Sequence, residues 1–438
     1  MQLPLHIALI SEHASPVALL GGADAGGQNV YVDELGRELA RLGHRVDVLT
    51  RRDNPYAPRL VDWGPGMRVV NVDAGPPQLL SKDELWQYMP DFRDDVMRLW
   101  LLEGERPDVL HGNFWMSGWV ATELRKLEGV PAVHTFHALG TTKRRHQGHA
   151  DTSPAERVAV EESIVRRVDR IIAQCPCEVA ELVDDYGADP SRLALIHGGV
   201  NTERFHPVNR AKARRALGLD PDALLIVYVG RMLPRKDVRN IVRALALLVP
   251  HQHGYGDSPL AQPRLLVVGG ETAEPDPVAT PEIGVLRRLA GELGVEHLVD
   301  FTGRRQPDEL RLYYSAADVA VTTPWYEPFG LTPLEAMACG VPVIGSAVGG
   351  IPHTVEHGVT GLLVPPRDPE SLADALRELL SRPRLRLRMG RAARARVEQE
   401  FTWSTVARRM EDLYRSVAHS RGEARPKMAA TTVGKRTP

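Results

Sequence analysis

The chain has 438 residues, 43% of them hydrophobic and 25% charged, with a net charge of −2. That is the composition of a globular protein long enough for two domains of about 200 residues each, and its near-neutral balance gives no reason to expect nucleic acid as a partner. Three cysteines, an odd number, argue against a disulfide framework, and Cys175-Pro-Cys177 lacks the spacing and second ligand pair of a metal site, so no metal is expected.

In chain order, residues 1–10 carry no basic leader or small-residue cleavage site and read as a buried strand. No apolar run approaches the length of a membrane span. A cytoplasmic location is expected, with peripheral membrane contact left open. Five of the seven tryptophans (Trp63, Trp86, Trp100, Trp115 and Trp119) lie in the first half, as core, sugar-stacking or membrane-facing residues. Cys339 reads as a small core residue. Short apolar runs alternate with amphipathic stretches throughout, the pattern of parallel sheets covered by helices. Strands are expected at 6–10, 45–50, 68–72, 108–111, 132–135, 170–173 and 193–196, then at 224–229, 264–268, 298–301, 319–322 and 341–345. Helices are expected at 30–42, 156–167, 238–248 and 369–380, among others. Each half opens as strand, glycine-containing loop, helix. The expected division is a domain at 1–205, a second at 206–401, a helix at 402–419 free to pack back on the first domain, and a disordered polar tail at 420–438.

Four motifs carry chemistry. Residues 21–27 (Gly-Gly-Ala-Asp-Ala-Gly-Gly) run into a helix whose amides and positive dipole end favour a phosphate; the alternative is a plain turn. The motif is not G-x-G-x-x-G, and no acidic residue closes a second strand as a dinucleotide site requires. In Val133-His134-Thr135-Phe136-His137, His134 falls among core positions, whereas His137 falls where the strand yields to a loop, the place where open α/β sheets bind ligands. Arg231 and Lys236 flank a strand-to-helix turn and form a fork and a point charge for two phosphates; the alternative is a solvated basic turn. Glu327 sits in a turn after a strand and Glu335 inside an apolar helix, eight residues on. A carboxylate in such a setting needs a partner: sugar or ribose hydroxyls, or else a cap or ion pair. Gly349-Gly350 offers one more close approach of backbone to ligand.

These motifs, in this order, resemble the retaining glycosyltransferases of family 4, over residues 5–415. The resemblance implies the GT-B fold, two Rossmann-like domains with parallel sheets facing an interdomain cleft. It implies no cofactor beyond a nucleotide diphosphate-sugar (UDP-, GDP- or ADP-linked) as co-substrate, and a small-molecule acceptor. Arg231 and Lys236 would hold the diphosphate with amides around Gly26 and Gly27. Glu335 would bind the ribose. Glu327 with the amides of Phe329, Gly330 and Leu331 would hold the donor sugar, and His137 would lie beside the reacting carbon. The N-terminal half is similar both to sucrose-phosphate synthases (Gly26–Val32 and His137-Ala-Leu-Gly140) and to the inositol-phosphate N-acetylglucosaminyltransferases of mycothiol synthesis (80–85, 115–118 and 154–157). Both groups use phosphorylated acceptors, which gives Lys82, Lys143 and Arg157, with Arg144 nearby, as acceptor residues. A solvated helix start is the alternative for Lys82, and a surface ion pair for Arg157. Phe114 and Ala138 stand where the second group has Tyr and Thr, which counts against inositol phosphate: fructose 6-phosphate comes first as acceptor, inositol phosphate second, and an unphosphorylated sugar or lipid third. A sugar-nucleotide epimerase, a dinucleotide-dependent oxidoreductase and a pure binding protein are the competing classes.

Overall fold

The computed structural model describes residues 3–17, 26–249 and 262–422. Residues 21–25 of the glycine loop and 423–438 of the tail therefore lie outside the described residues. The first sheet holds β1 (His6–Ile10), β2 (Arg45–Arg51), β3 (Leu60–Gly64), β4 (Met67–Val72), β5 (Val109–Asn113), β6 (Ala132–Thr135), β7 (Arg170–Ala173) and β8 (Leu193–Leu195). Its order is β3-β4-β2-β1-β5-β6-β7-β8, parallel except for the β3–β4 pair. The second sheet holds β9 (Leu224–Val229), β10 (Pro263–Val268), β11 (Val299–Gly303), β12 (Val319–Thr322), β13 (Val343–Ser346) and β14 (Gly361–Val364), in the order β11-β10-β9-β12-β13-β14. Continuous Val/Ile/Leu runs such as Leu224–Val229 are buried along nearly their whole length, as strands covered on both faces must be.

In both sheets the order reverses beside the first strand: β1 lies between β2 and β5, and β9 between β10 and β12. Successive crossovers leave in opposite directions there, opening a crevice at the carboxyl ends of the strands. Each sheet is packed on both faces, giving four apolar clusters. One of them is completed from far away in sequence. The final helix, Trp403–Gly422, adds Trp403, Val406, Met410, Tyr414 and Val417 to the core around Leu9, Leu35 and Val48.

Several expected boundaries shift. The strand expected at 341–345 is Val343–Ser346, because Pro342 has no N–H to give a ladder. The strand expected at 298–301 runs Val299–Gly303, since Leu298 belongs to a 3-10 turn. The first helix starts earlier, at Gly27. Edge strand β3 was not expected; it is largely solvent-facing and lacks an apolar run. Residues 420–422, expected in the disordered tail, continue the last helix instead. Among the described residues no helix is long and apolar enough to cross a membrane.

Candidate active site

The C-terminal half supplies three loops, each leaving the carboxyl end of a strand. After β9, Gly230-Arg231 leads to a 3-10 turn, Pro234–Lys236. After β12, Thr323–Gly330 carries Glu327. Lys236 Nζ donates to Glu327 Oε2, and Arg235 Nη1 stands 4.0 Å from the same oxygen. Burial alone would raise the Glu327 carboxyl, but Lys236 and then Arg235 outweigh it and hold it below the ordinary range. Burial draws the Lys236 amine down, helped by Arg235 and opposed by Glu327. Lys236 and Glu327, expected to hold the diphosphate and the donor sugar separately, thus meet in an ion pair, while Arg231 is exposed. The backbone of Glu327 is fixed from two sides. Trp325 N donates to Arg235 O (2.8 Å), and Gly350 N donates to Glu327 O (3.0 Å). A Cβ at Gly349 would lie 1.8 Å from Glu327 O, and φ is +53° there. Only glycine fits that approach, which explains Gly349-Gly350.

Glu335 lies on the helix Leu331–Ala338, whose N-terminal amides begin at Gly330, φ +94°. Its carboxyl is pushed up to about 7 by burial, against a hydrogen bond from Tyr314 and the charge of Arg204. Tyr314 Oη donates to Glu335 Oε2 at 2.8 Å. A neutral hydroxyl, not a charged partner, meets the buried acid.

Across the cleft, the helix Gly27–Arg41 points its N-terminus at that of Leu331–Ala338: a Cβ on Gly27 would meet Leu331 Cδ1 at 3.4 Å. The two helix N-termini therefore lie close together, and helix N-termini favour an anion. The linker residue Gly198 packs on Phe329, so closely that a Cβ there would lie 3.0 Å from the ring. Cys175 Sγ donates to Pro328 O at 3.3 Å.

His137 follows β6 with φ +60°, a strained value for a residue with a Cβ. Its Nε2 meets Asn113 Oδ1 at 3.0 Å, while Asn113 Nδ2 donates to His111 O (3.1 Å) and Ile10 O (3.4 Å). Asn113 thus presents an acceptor, so His137 carries its proton on Nε2. Burial lowers its pKa to about 3, with His111 and His13 adding to the shift; it is a neutral imidazole at physiological pH. His134 lies in the core, where a Cβ on Gly118 would come within 2.5 Å of its ring.

Lys143 and Arg157 converge on one hydroxyl. Lys143 Nζ contacts Asp151 Oδ1 (2.8 Å) and Ser153 Oγ (2.9 Å), and Arg157 Nη1 donates to Ser153 Oγ (3.1 Å). Arg157 is not in a surface ion pair. Its side chain is 3% exposed, bonded through Nε to Glu161 Oε1 at 2.8 Å and through Nη2 to Ala138 O at 2.5 Å. Three of its five N–H donors are committed to Glu161, Ser153 and Ala138. Phe114 places its ring 5.0 Å from the guanidinium. The two positions that lack a hydroxyl, Phe114 and Ala138, thus both border Arg157. Lys82 is exposed on a 3-10 turn capped by Ser81. Its amine is drawn down by desolvation and then by Lys143, with Arg231 and Arg157 contributing against Asp83. The structure therefore brings Lys143 and Arg157 together at Ser153, whereas Arg144 turns to Asp151 and the carbonyl of Ala155.

Sequence reasoning missed Asn113, the His13–Glu12 pair (2.7 Å) with Ser117 behind it, and Tyr326. Asn113 and Glu12-His13 each lie at the end of a strand or within a few residues of it, which is the signal that could have found them.

A model described as "Glycosyltransferase Family 4" matches residues 25–204, and one described as "Glycosyl transferases group 1" matches 209–396. A D-inositol 3-phosphate glycosyltransferase of Streptomyces bingchenggensis is 40% identical over 94% of this chain and 89% of its own. One from Corynebacterium efficiens is 37% identical, covering 94% and 95%. Among solved structures, a sucrose-phosphate synthase from Thermosynechococcus elongatus has a TM-score of 0.84 at 36% identity, covering 95% of this chain and all of that one (100%). Anabaena HepE, solved with UDP-glucose, has a TM-score of 0.72 at 19% identity, covering 94% and 100%, a likeness of fold alone. With relatives of this identity spanning nearly its whole length and a paired-sheet cleft of the same architecture, the chain belongs to the family 4 glycosyltransferases of GT-B fold, enzymes that transfer a sugar from a nucleotide sugar.

Proposed function

We propose that this enzyme transfers a hexose-type sugar from UDP-sugar, with retention of anomeric configuration, to a small phosphorylated acceptor. The observation that carries the acceptor reading is the convergence of Lys143 Nζ (2.9 Å) and Arg157 Nη1 (3.1 Å) on the Ser153 hydroxyl. Two cationic side chains that meet at one point can both donate to the oxygens of a phosphate. The names of the relatives support a different order of acceptors from the one expected from sequence. An inositol phosphate now comes first and fructose 6-phosphate second, because the curated relatives named above act on D-inositol 3-phosphate.

In this reading the diphosphate lies where the two helix N-termini converge, with Arg231 and Lys236 on the oxygens that gain charge as the glycosidic bond breaks. Such preorganised charges contribute a few kcal/mol each to lowering the barrier, about 3 for a well-placed donor. The acceptor hydroxyl attacks from the leaving-group side, and its proton passes to the departing diphosphate. Glu327, held ionised, accepts hydrogen bonds from sugar hydroxyls. Neutral His137 lines the sugar face without adding a competing cation. The two cationic side chains do the work that a divalent metal would do, so activity in EDTA is expected.

The test is a donor-by-acceptor screen that reads released nucleoside diphosphate and product mass, with each phosphorylated acceptor beside its dephosphorylated form. A strong preference for the phosphorylated form supports the reading. Equal use of both forms refutes the acceptor class and leaves the transferase assignment intact.

A further inference from the structure

One short helix touches both substrate regions. Gly140–Gln147 is anchored at its start by Glu161, which accepts from Gly140 N (2.9 Å) and also from Arg157 Nε (2.8 Å). Thr141 N donates to Tyr186 Oη at 3.1 Å. Lys143, in its middle, shares Ser153 with Arg157. At its end the helix crosses the cleft. Gln147 Nε2 donates to Tyr326 Oη at 2.6 Å, and the His146 ring stacks on that of Tyr326 with centroids 4.9 Å apart and planes 17° from parallel.

Tyr326 immediately precedes Glu327, and the other face of its surroundings is Arg235, whose guanidinium carbon lies 5.2 Å from the Tyr326 ring centroid. The same arginine is one of the two cations beside Glu327. A continuous set of contacts thus runs from the acceptor cations, through a rigid segment about 12 Å long, to the loop that carries the donor-sugar carboxylate. The Gln147–Tyr326 bond that closes it joins residues 179 positions apart in sequence. No feature of the proposed chemistry requires this bridge, since neither Gln147 nor Tyr326 needs to touch a substrate.

We propose that Tyr326 and Gln147 are positioning residues that tie the acceptor-side helix to the donor loop, so that the donor loop, braced within its own domain, is held in register with the acceptor side only while the helix is seated. The inference rests on the acceptor reading above for what arrives at Lys143 and Arg157. The link itself is independent of which acceptor that is. When it is cut, the donor still binds, because Lys236, Arg231 and Glu335 remain. The sugar is then presented less well to the acceptor, and a larger share of activated donor is lost to water.

The experiment is a double-mutant cycle with Tyr326→Phe and Gln147→Ala in the full chain, run with whichever acceptor the wild type prefers. Tyr326→Phe keeps the ring that stacks on His146 and lies beside Arg235, and removes only the hydroxyl. Each single variant is expected to lower kcat about ten-fold. UDP affinity and Tm should stay at wild-type values, and the ratio of UDP released to product formed should rise. The double variant should be no worse than either single one, because both remove the same bond. Wild-type kcat in the singles, effects that multiply in the double variant, or a parallel fall of UDP affinity and Tm would each overturn the proposal. Failure of the acceptor reading shows separately, as indifference of the wild type to acceptor phosphate, and leaves this cycle intact.

Discussion

In the C-terminal half of the cleft, Lys236 and Glu327 neutralise each other, Arg231 stays exposed, and the loop between them is pinned by backbone bonds to Arg235 and Gly350. In the N-terminal half, Lys143 leans on Asp151, and Arg157 is buried against Glu161, Ser153 and Ala138. One half is a charge pair set in rigid backbone. The other is a set of cations each held by side chains that belong to its own domain. The donor half is therefore specified by loop geometry, and the acceptor half by side chains, which single substitutions retune more easily. Phe114 and Ala138, where the resemblance to the inositol-phosphate group leads one to expect Tyr and Thr, are two such positions.

The sharpest way to break this contrast is to remove the carboxylate that frames the acceptor half. Glu161→Ala leaves Arg157 buried and unpaired and should destabilise the protein by about 3–5 kcal/mol, read by urea denaturation. A change below about 1 kcal/mol, the scale of an exposed ion pair, would mean that Arg157 is not held as described. Next, Lys236→Ala or Arg231→Ala should lower turnover by roughly two orders of magnitude, with Tm unchanged for exposed Arg231 and lowered for Lys236, whose loss leaves Glu327 without its main partner. Wild-type turnover in either variant removes the diphosphate clamp. Lys82→Ala should raise the KM for a phosphorylated acceptor about ten-fold and leave the KM for donor alone; equal change in both would merge the two halves into one site.

The smallest effect concerns pH. Glu335 has a carboxyl raised to about 7, so it is largely protonated below that value and ionised above it. Ribose hydroxyls donate better to the ionised form, so nucleotide binding releases a proton, and affinity strengthens by a few-fold as pH rises through about 7. Glu335→Gln should flatten that dependence in calorimetric titrations with UDP, leaving only the slope due to the nucleotide itself. A Gln variant with the wild-type slope would assign the titration elsewhere.

Much of the donor half was legible because its information is local. The spacing of Glu327 and Glu335, the Arg231–Lys236 turn and the paired glycines at 349 and 350 all lie within single strand–loop–helix units. The acceptor half was legible only in part. Arg157 sits on an amphipathic helix beside acidic neighbours, a pattern shared by surface ion pairs, and only the packing of Phe114 and Tyr186 around it makes the pair internal. The contacts between Gln147 and Tyr326, and between His111 and Tyr414, left no trace in any short window because they join segments 179 and 303 positions apart. The strand at Leu60–Gly64 escaped for the opposite reason: exposed and antiparallel, it needs no apolar run.

The path of the last helix also bears on how the protein is made. Val200 N donates to Phe401 O at 2.8 Å, so the chain leaves the first domain and re-enters it at neighbouring points, and Tyr414 Oη then meets His111 Nδ1 at 2.7 Å. The second domain is in effect an inset within the first. During synthesis, at several residues per second, the first domain waits for Trp403, Met410, Tyr414 and Val417 before its core is closed, whereas the inset domain has all its strands in hand earlier. The half that begins first is the one that finishes last, and a ribosome stalled before residue 403 would hold a first domain with one apolar face still open.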